Sequence, residues 1–212
     1  MNKKNILTAA VSLSLVACLS IGATLAYFTD KTETKTNTFT AGKVDIELID
    51  ESPEHDGWKQ GVENEDGTGL DFEPVMPGDT LSKHVAVTLS DDSEEAYLAI
   101  KVVADANLPY GTDEDELDMK IWLYQTLATA TDDVWYMDIE PDFSSAVFYC
   151  KDAVSAGETV ELLQSIHIPE GWGNEYAGMN FSIEVEAVAV QTANVTYDMF
   201  RDMKWNNFKA LV

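Results

Sequence analysis

The sequence predicts an all-β fold, an antiparallel β-sandwich of jelly-roll type with about eight strands. Three observations carry this. Short runs with period-two alternation recur along the chain, which is the signature of half-buried strands. Acidic or Gly/Pro-rich turns separate those runs, and there is no internal repeat or long low-complexity segment. A chain of 212 residues with 45% hydrophobic and 10% aromatic content can bury a sizeable core as one domain.

The elements follow in order. Lys43 to Ile49 alternates cleanly, with Val44, Ile46 and Leu48 on one face and Lys43, Asp45 and Glu47 on the other. Asp50 to Gly69 is acidic and rich in Gly, Ser and Asn, and predicts a long loop. Pro77-Gly78-Asp79 is a tight turn, with proline fixing φ and glycine supplying a positive φ. It launches a strand over Leu81 to Leu89 in which Val85, Val87 and Leu89 face inward, and Ala96 to Ala104 is the return strand. Asp113 to Glu116 reads as another acidic loop. Over Met119 to Tyr124 the alternation and aromatic content favour a strand over a short helix. Val134 to Ile139 and Ala146 to Cys150 form a hairpin pair around Glu140-Pro141-Asp142. Thr159 to Ile168 is a further strand, and Pro169 to Gly178 is a loop with three glycines and a proline. Met179 to Gln191 is the longest strand, with Phe181, Ile183, Val185, Ala187 and Ala189 in phase. Met199, Met203 and Trp205 are at near-helical spacing and predict a short amphipathic C-terminal helix.

The N-terminus has its own organisation. Residues 1–26 read as a secretory signal peptide: Asn2-Lys3-Lys4-Asn5 is a basic start, Ile6 to Ile21 is mostly apolar, and Thr24-Leu25-Ala26 places small residues for cleavage between Ala26 and Tyr27. Leu15-Val16-Ala17-Cys18 also matches a lipoprotein box, but cleavage there would leave apolar Leu19 to Leu25 exposed. Residues 27–42 form an extended segment. From Lys31 to Thr38 the alternation is strict, with Thr32, Thr34, Thr36 and Thr38 on one face and Lys31, Glu33, Lys35 and Asn37 on the other. Tyr27, Phe28 and Phe39 are the apolar anchors at its ends. Such a strand has no apolar face of its own. It is either a tail, or it pairs through backbone hydrogen bonds with a sheet edge on this molecule or another. Residues 43–192 form the sandwich domain, and residues 193–212 a C-terminal tail.

Charge and chemistry narrow the function. Net charge is −25, and the 13 basic residues fall to 11 against 38 acidic once Lys3 and Lys4 leave with the signal, giving about −27. That field repels nucleic acid and anionic membrane surfaces, so neither is an expected partner. With Cys18 gone, Cys150 is the sole thiol and reads as a buried small hydrophobe. His55, His84 and His167 show no His-Glu-x-x-His pattern, and no Gly-x-Ser-x-Gly or P-loop occurs. No residue is assigned as catalytic or metal-binding, and no cofactor is expected. A zinc site assembled from the three histidines, or calcium on the acidic loops Glu63 to Asp71 and Asp113 to Asp118, stays open as an alternative.

The stretch Ala23-Thr24-Leu25-Ala26-Tyr27-Phe28-Thr29-Asp30, followed by Asn37-Thr38-Phe39-Thr40-Ala41-Gly42-Lys43-Val44-Asp45-Ile46, resembles the TasA/camelysin family of Gram-positive bacteria. Pro77-Gly78-Asp79-Thr80-Leu81, Leu98 to Val102 and Phe181 to Gln191 fit the family more loosely. The resemblance implies processing by a dedicated signal peptidase of the SipW type and a jelly-roll protein of the cell surface or biofilm matrix. It also implies self-association into filaments, in which the segment after the signal, here about Tyr27 to Phe39, completes a sheet of the next subunit. Other matrix proteins are further implied partners, and no membrane association is expected after cleavage. Two alternatives stand beside this reading: a camelysin-like secreted metallopeptidase and a monomeric surface-binding module.

Overall fold

The computed structural model describes residues 29–32, 44–65, 67–131, 133–193, 195–203, 205 and 208. Its strands are β1 (Thr29–Thr32), β2 (Ile46–Glu51), β3 (Lys59–Gln60), β4 (Val62–Glu63), β5 (Gly69–Val75), β6 (Thr80–Leu89) and β7 (Ala96–Asn107), then β8 (Trp135–Ile139), β9 (Ala146–Cys150), β10 (Thr159–His167) and β11 (Met179–Gln191). Helix α1 (Asp113–Thr131) joins β7 to β8, and α2 (Tyr197–Asp202) follows β11.

The strands form two sheets packed as a β-sandwich. The large sheet runs β4-β5-β11-β7-β9-β8, with β1 added on β11; the small sheet runs β10-β6-β2, with β3 added on β6. The pairings are antiparallel except for the two-residue β3–β6 contact, which is parallel. Between the sheets, Leu81, Val85, Val87 and Leu89 from β6 join Phe72, Leu98, Ile100, Phe148, Phe181, Ile183 and Val185 in one buried cluster. Each comes from the inward phase of a strand, as period-two geometry requires. A cross-sheet hydrogen bond supplements the packing, with the Trp135 indole N–H on β8 donating to the Glu161 carbonyl on β10 at 2.9 Å.

The outer face of the large sheet is also covered. Ala99, Val147, Tyr149, Val188 and Val190 form a second buried cluster with Phe200, Trp205 and Phe208 from the C-terminal segment. Phe200 stacks on Tyr97 and meets Tyr149 edge-on, with centroids 5.6 and 5.5 Å apart. The Thr196 hydroxyl caps α2 by accepting from the Met199 N–H.

Three expectations change. Asp113 to Glu116 is the first turn of α1 and not a loop, and Met119 to Tyr124 lies within that helix and not in a strand. Thr112 and Asp115 cap the helix reciprocally: the Thr112 N–H and hydroxyl donate to Asp115 Oδ2 at 2.8 and 2.7 Å, and the Asp115 N–H donates back to Thr112 Oγ1. The acidic first turn suits the positive end of the helix dipole. Met119, Leu123 and Leu127 are buried at intervals of four, while Ile121, which the strand phase would bury, is half-buried. The expected loop over Asp50 to Gly69 contains β3 and β4. β5, which the alternation did not mark, supplies buried Leu70, Phe72 and Val75. Among the described residues, no helix is long and apolar enough to cross a membrane.

Candidate functional site

The site is the edge of β11. β7 pairs with one side of β11 along its whole length, from Asn180↔Asn107 to Gln191↔Ala96. The other side is divided between two shorter strands. β5 occupies the first half, from Met179↔Val75 to Glu184↔Gly69. β1 occupies the second half, with Thr29, Asp30, Lys31 and Thr32 opposite Val190, Ala189, Val188 and Ala187. β1 also runs close to β2.

At this slot β11 is closed on both faces. Ala187 and Ala189 belong to the core between the sheets, whereas Val188 and Val190 belong to the cluster under Phe200, Trp205 and Phe208. Buried backbone N–H and C=O groups need partners, so the edge at 187–190 requires a strand beside it. The β1 pairing provides that strand through main-chain geometry alone, and within a single chain it is intramolecular.

The junction between β5 and β1 is tightly built. Gly69 begins β5 so close to β11 that a Cβ there would lie 2.3 Å from the Ile183 carbonyl oxygen. That carbonyl accepts a 3.0 Å hydrogen bond from Lys83 Nζ, which reaches across from the small sheet. Nζ also lies 2.6 Å from Asp50 Oδ1, and the two side chains are 0% and 8% exposed. Burial pushes the Asp50 carboxyl up and the Lys83 ammonium down, while the attraction between the two opposes both shifts. Sequence reasoning missed this pair, although Lys83 shares the phase of Leu81 and Val85, and Asp50 the phase of Ile46 and Leu48.

The structure places the other residues singled out from sequence as follows. The turn at Pro77, Gly78 and Asp79 is closed by the Asp79 N–H donating to the Met76 carbonyl at 3.0 Å, with Gly78 at φ +90°. The Asp79 carboxylate accepts from the Met76 N–H at 2.8 Å, and the turn docks on β10's end through Gly78 N–H to the Ile168 carbonyl. This turn lies outside the slot at Ala187–Val190. Thr32 lies in β1, whereas Ala26, Tyr27, Phe28, Thr34, Thr36, Thr38 and Phe39 lie outside the described residues. Cys150 is buried, and burial raises its thiol above the ordinary range.

The three histidines do not meet at one point, although His55 and His84 line a common pocket with Glu161. His55 packs on Trp58, with ring centroids 4.3 Å apart. His84 sits between Glu51 at 3.1 Å and Glu161 at 3.5 Å, and His167 pairs with the Thr80 hydroxyl at 3.1 Å. Among the described residues, no group of three or more His, Cys, Asp or Glu side chains is placed to hold a metal ion.

The family model described as camelysin metallo-endopeptidase matches residues 2–103. No curated protein and no solved structure matches the chain. The match covers the N-terminal residues that carry the TasA/camelysin resemblance, β1, and the first strands of both sheets. A catalytic metal, which the family's description implies, does not fit the donor sets of the described residues, so no catalytic step is derived through one. Over residues 2–103 the chain is similar to the camelysin metallo-endopeptidase family.

Proposed function

We propose that this protein is a secreted structural subunit of the cell surface or biofilm matrix, assembling into filaments by exchange of its N-terminal strand. The single observation that carries the reading is the divided edge of β11, where β1 fills the slot at Ala187–Val190 as an added strand. A strand that closes a sheet in its own chain can close the same sheet in a second copy, because the register is set by the backbone. The four-residue pairing is a weak closure, since each backbone hydrogen bond nets only about 0.5–1.5 kcal/mol. Exchange therefore costs little locally, and residues 33–43 provide the length of chain between β1 and the domain that it leaves. The contact is head-to-tail, which builds open filaments and not closed rings.

In this reading, residues 1–26 direct export, and cleavage between Ala26 and Tyr27 releases the strand for exchange. The test is electron microscopy of the mature protein, starting at Tyr27, beside the same protein lacking residues 27–39. Filaments from the first and none from the second are expected, and filaments that persist after the deletion would rule out strand exchange. The similarity to camelysin metallo-endopeptidases favours a second reading, a secreted metallo-endopeptidase. Stoichiometric zinc together with chelator-sensitive casein cleavage would establish that reading instead.

A further inference from the structure

Lys83 and Asp50 lie in the interior of the sandwich, and the function proposed above uses neither side chain. They sit on neighbouring strands of the small sheet, 33 residues apart in sequence, with Nζ 2.6 Å from Oδ1. The ammonium has two acceptors among the described residues, Asp50 Oδ1 and the Ile183 carbonyl, for its three donors. Burial keeps water from this pair, and the hydrogen bond holds the amine nitrogen beside the Asp50 carboxyl group, so little positioning is left to make.

We propose that Lys83 and Asp50 join through an intramolecular isopeptide bond, a side-chain amide that ties β2 to β6. The step balances within the pair. One proton moves along the short Nζ–Oδ1 hydrogen bond, turning the ion pair into a neutral amine and a carboxylic acid. The amine lone pair attacks Asp50 Cγ and forms the C–N bond. A proton passes from the nitrogen to the departing hydroxyl, the C–O bond breaks, and one water leaves. No oxidant, reductant or cofactor takes part, and the pair is neutral before and after.

The surroundings favour this chemistry. Burial disfavours both charged forms and so populates the amine and acid that condense. The charge of Glu63 adds to the rise at Asp50, while Asp71 and Glu184 act on Lys83 in the opposite sense to burial. Condensation removes two buried charges whose desolvation is costly. The amide keeps one N–H, enough to hold the bond to the Ile183 carbonyl. The product also closes a covalent loop between β2 and β6, which restricts the unfolded chain. The inference rests on the geometry of this pair and stands apart from strand exchange.

The test is the intact mass of the purified wild-type protein under denaturing conditions, followed by peptide mapping. The expected result is a chain one water lighter than its processed sequence, with a branched peptide joining residues 50 and 83. The Lys83→Arg and Asp50→Ala variants should each lack the branched peptide. A wild-type chain at full sequence mass overturns the inference. So does a water loss with residues 50 and 83 on separate linear peptides, as a succinimide at Asp56-Gly57 would give.

Discussion

Gly78 holds φ +90° at the turn between β5 and β6, and its N–H donates to the Ile168 carbonyl. A Cβ there meets nothing closer than 3.5 Å, so the constraint is on the backbone and not on space. Gly78→Ala should cost about 1–2 kcal/mol in denaturant unfolding, the ordinary penalty for a non-glycine residue in the left-handed region. Gly69 is constrained by space instead. Gly69→Ala would press a methyl group into the Ile183 carbonyl and the Glu184 Cα, both main-chain atoms of β11. A loss of about 1–3 kcal/mol is expected, with the chain parting first where β5 meets β11. The glycine of the turn was legible from Pro77-Gly78-Asp79. The role of Gly69 was not, because a close approach between strands leaves no local pattern.

Titration at the residue scale has a clear sign. Burial raises the Cys150 thiol from an ordinary value of 9.0, and raises Tyr124, Tyr149, Tyr176 and Tyr197 from 10.0. In the unfolded chain these groups ionise at their ordinary values, while in the fold they remain neutral to higher pH. Groups raised in the folded state contribute stability that is intact below the unfolded values and is lost as pH rises through the folded ones. The denaturation midpoint should therefore fall between about pH 8 and about pH 11, and a midpoint unchanged over that range would contradict these assignments. Cys150 should also resist thiol reagents in native protein and react once unfolded.

At the scale of elements, the strands with a polar face were legible, and the helix α1 was not. Met119, Ile121 and Leu123 satisfy an alternating pattern over a short window, and only the continuation to Leu127 distinguishes a stripe at intervals of four. The reciprocal cap between Thr112 and Asp115 was the decisive local signal, hidden by a run of acids that resembles a solvated loop. A short C-terminal helix was expected from Met199, Met203 and Trp205, but α2 ends at Asp202, Met199 is exposed and Phe200 is its buried residue, so neither its inward face nor its docking place was legible. Its partner surface is announced in β11, where outward Ser182, Glu184 and Glu186 give way to Val188 and Val190. Phe200→Ala should cost about 3–5 kcal/mol, since it is fully buried among Tyr97, Tyr149 and Phe208. Urea unfolding followed by tryptophan fluorescence checks this value. A loss below about 1 kcal/mol would mean that the outer cluster is not part of the cooperative fold.

At the scale of the whole molecule, the alternating run Lys31 to Thr38 raised the expectation of a strand, of which Lys31 and Thr32 lie in β1 and the rest outside the described residues, and its acceptor was not legible. Pairing by main-chain hydrogen bonds is blind to side chains, so nothing in residues 29–32 names Ala187–Val190 as the partner. Only the two-sheet topology brings the first strand beside the last. Net charge constrains assembly in turn. On the proposed reading, mature subunits at about −27 (11 basic against 38 acidic residues) would repel one another, and the repulsion is screened as the Debye length falls from about 30 Å at 0.01 M to about 8 Å at 0.15 M ionic strength. Filament formation, followed by light scattering, should therefore accelerate with added salt at neutral pH; slower assembly would show that charge attraction drives the contact.

The most direct measurement of strand exchange is a paired-cysteine trap at Lys31 and Val188, which lie opposite each other in the β1–β11 register. Mature Lys31→Cys/Val188→Cys protein is oxidised after incubation under assembly conditions and resolved on a non-reducing gel. Exchange of β1 between subunits predicts a ladder of covalent multimers that collapses to monomer on reduction. An internally bridged monomer as the sole product from filament-containing samples would contradict it.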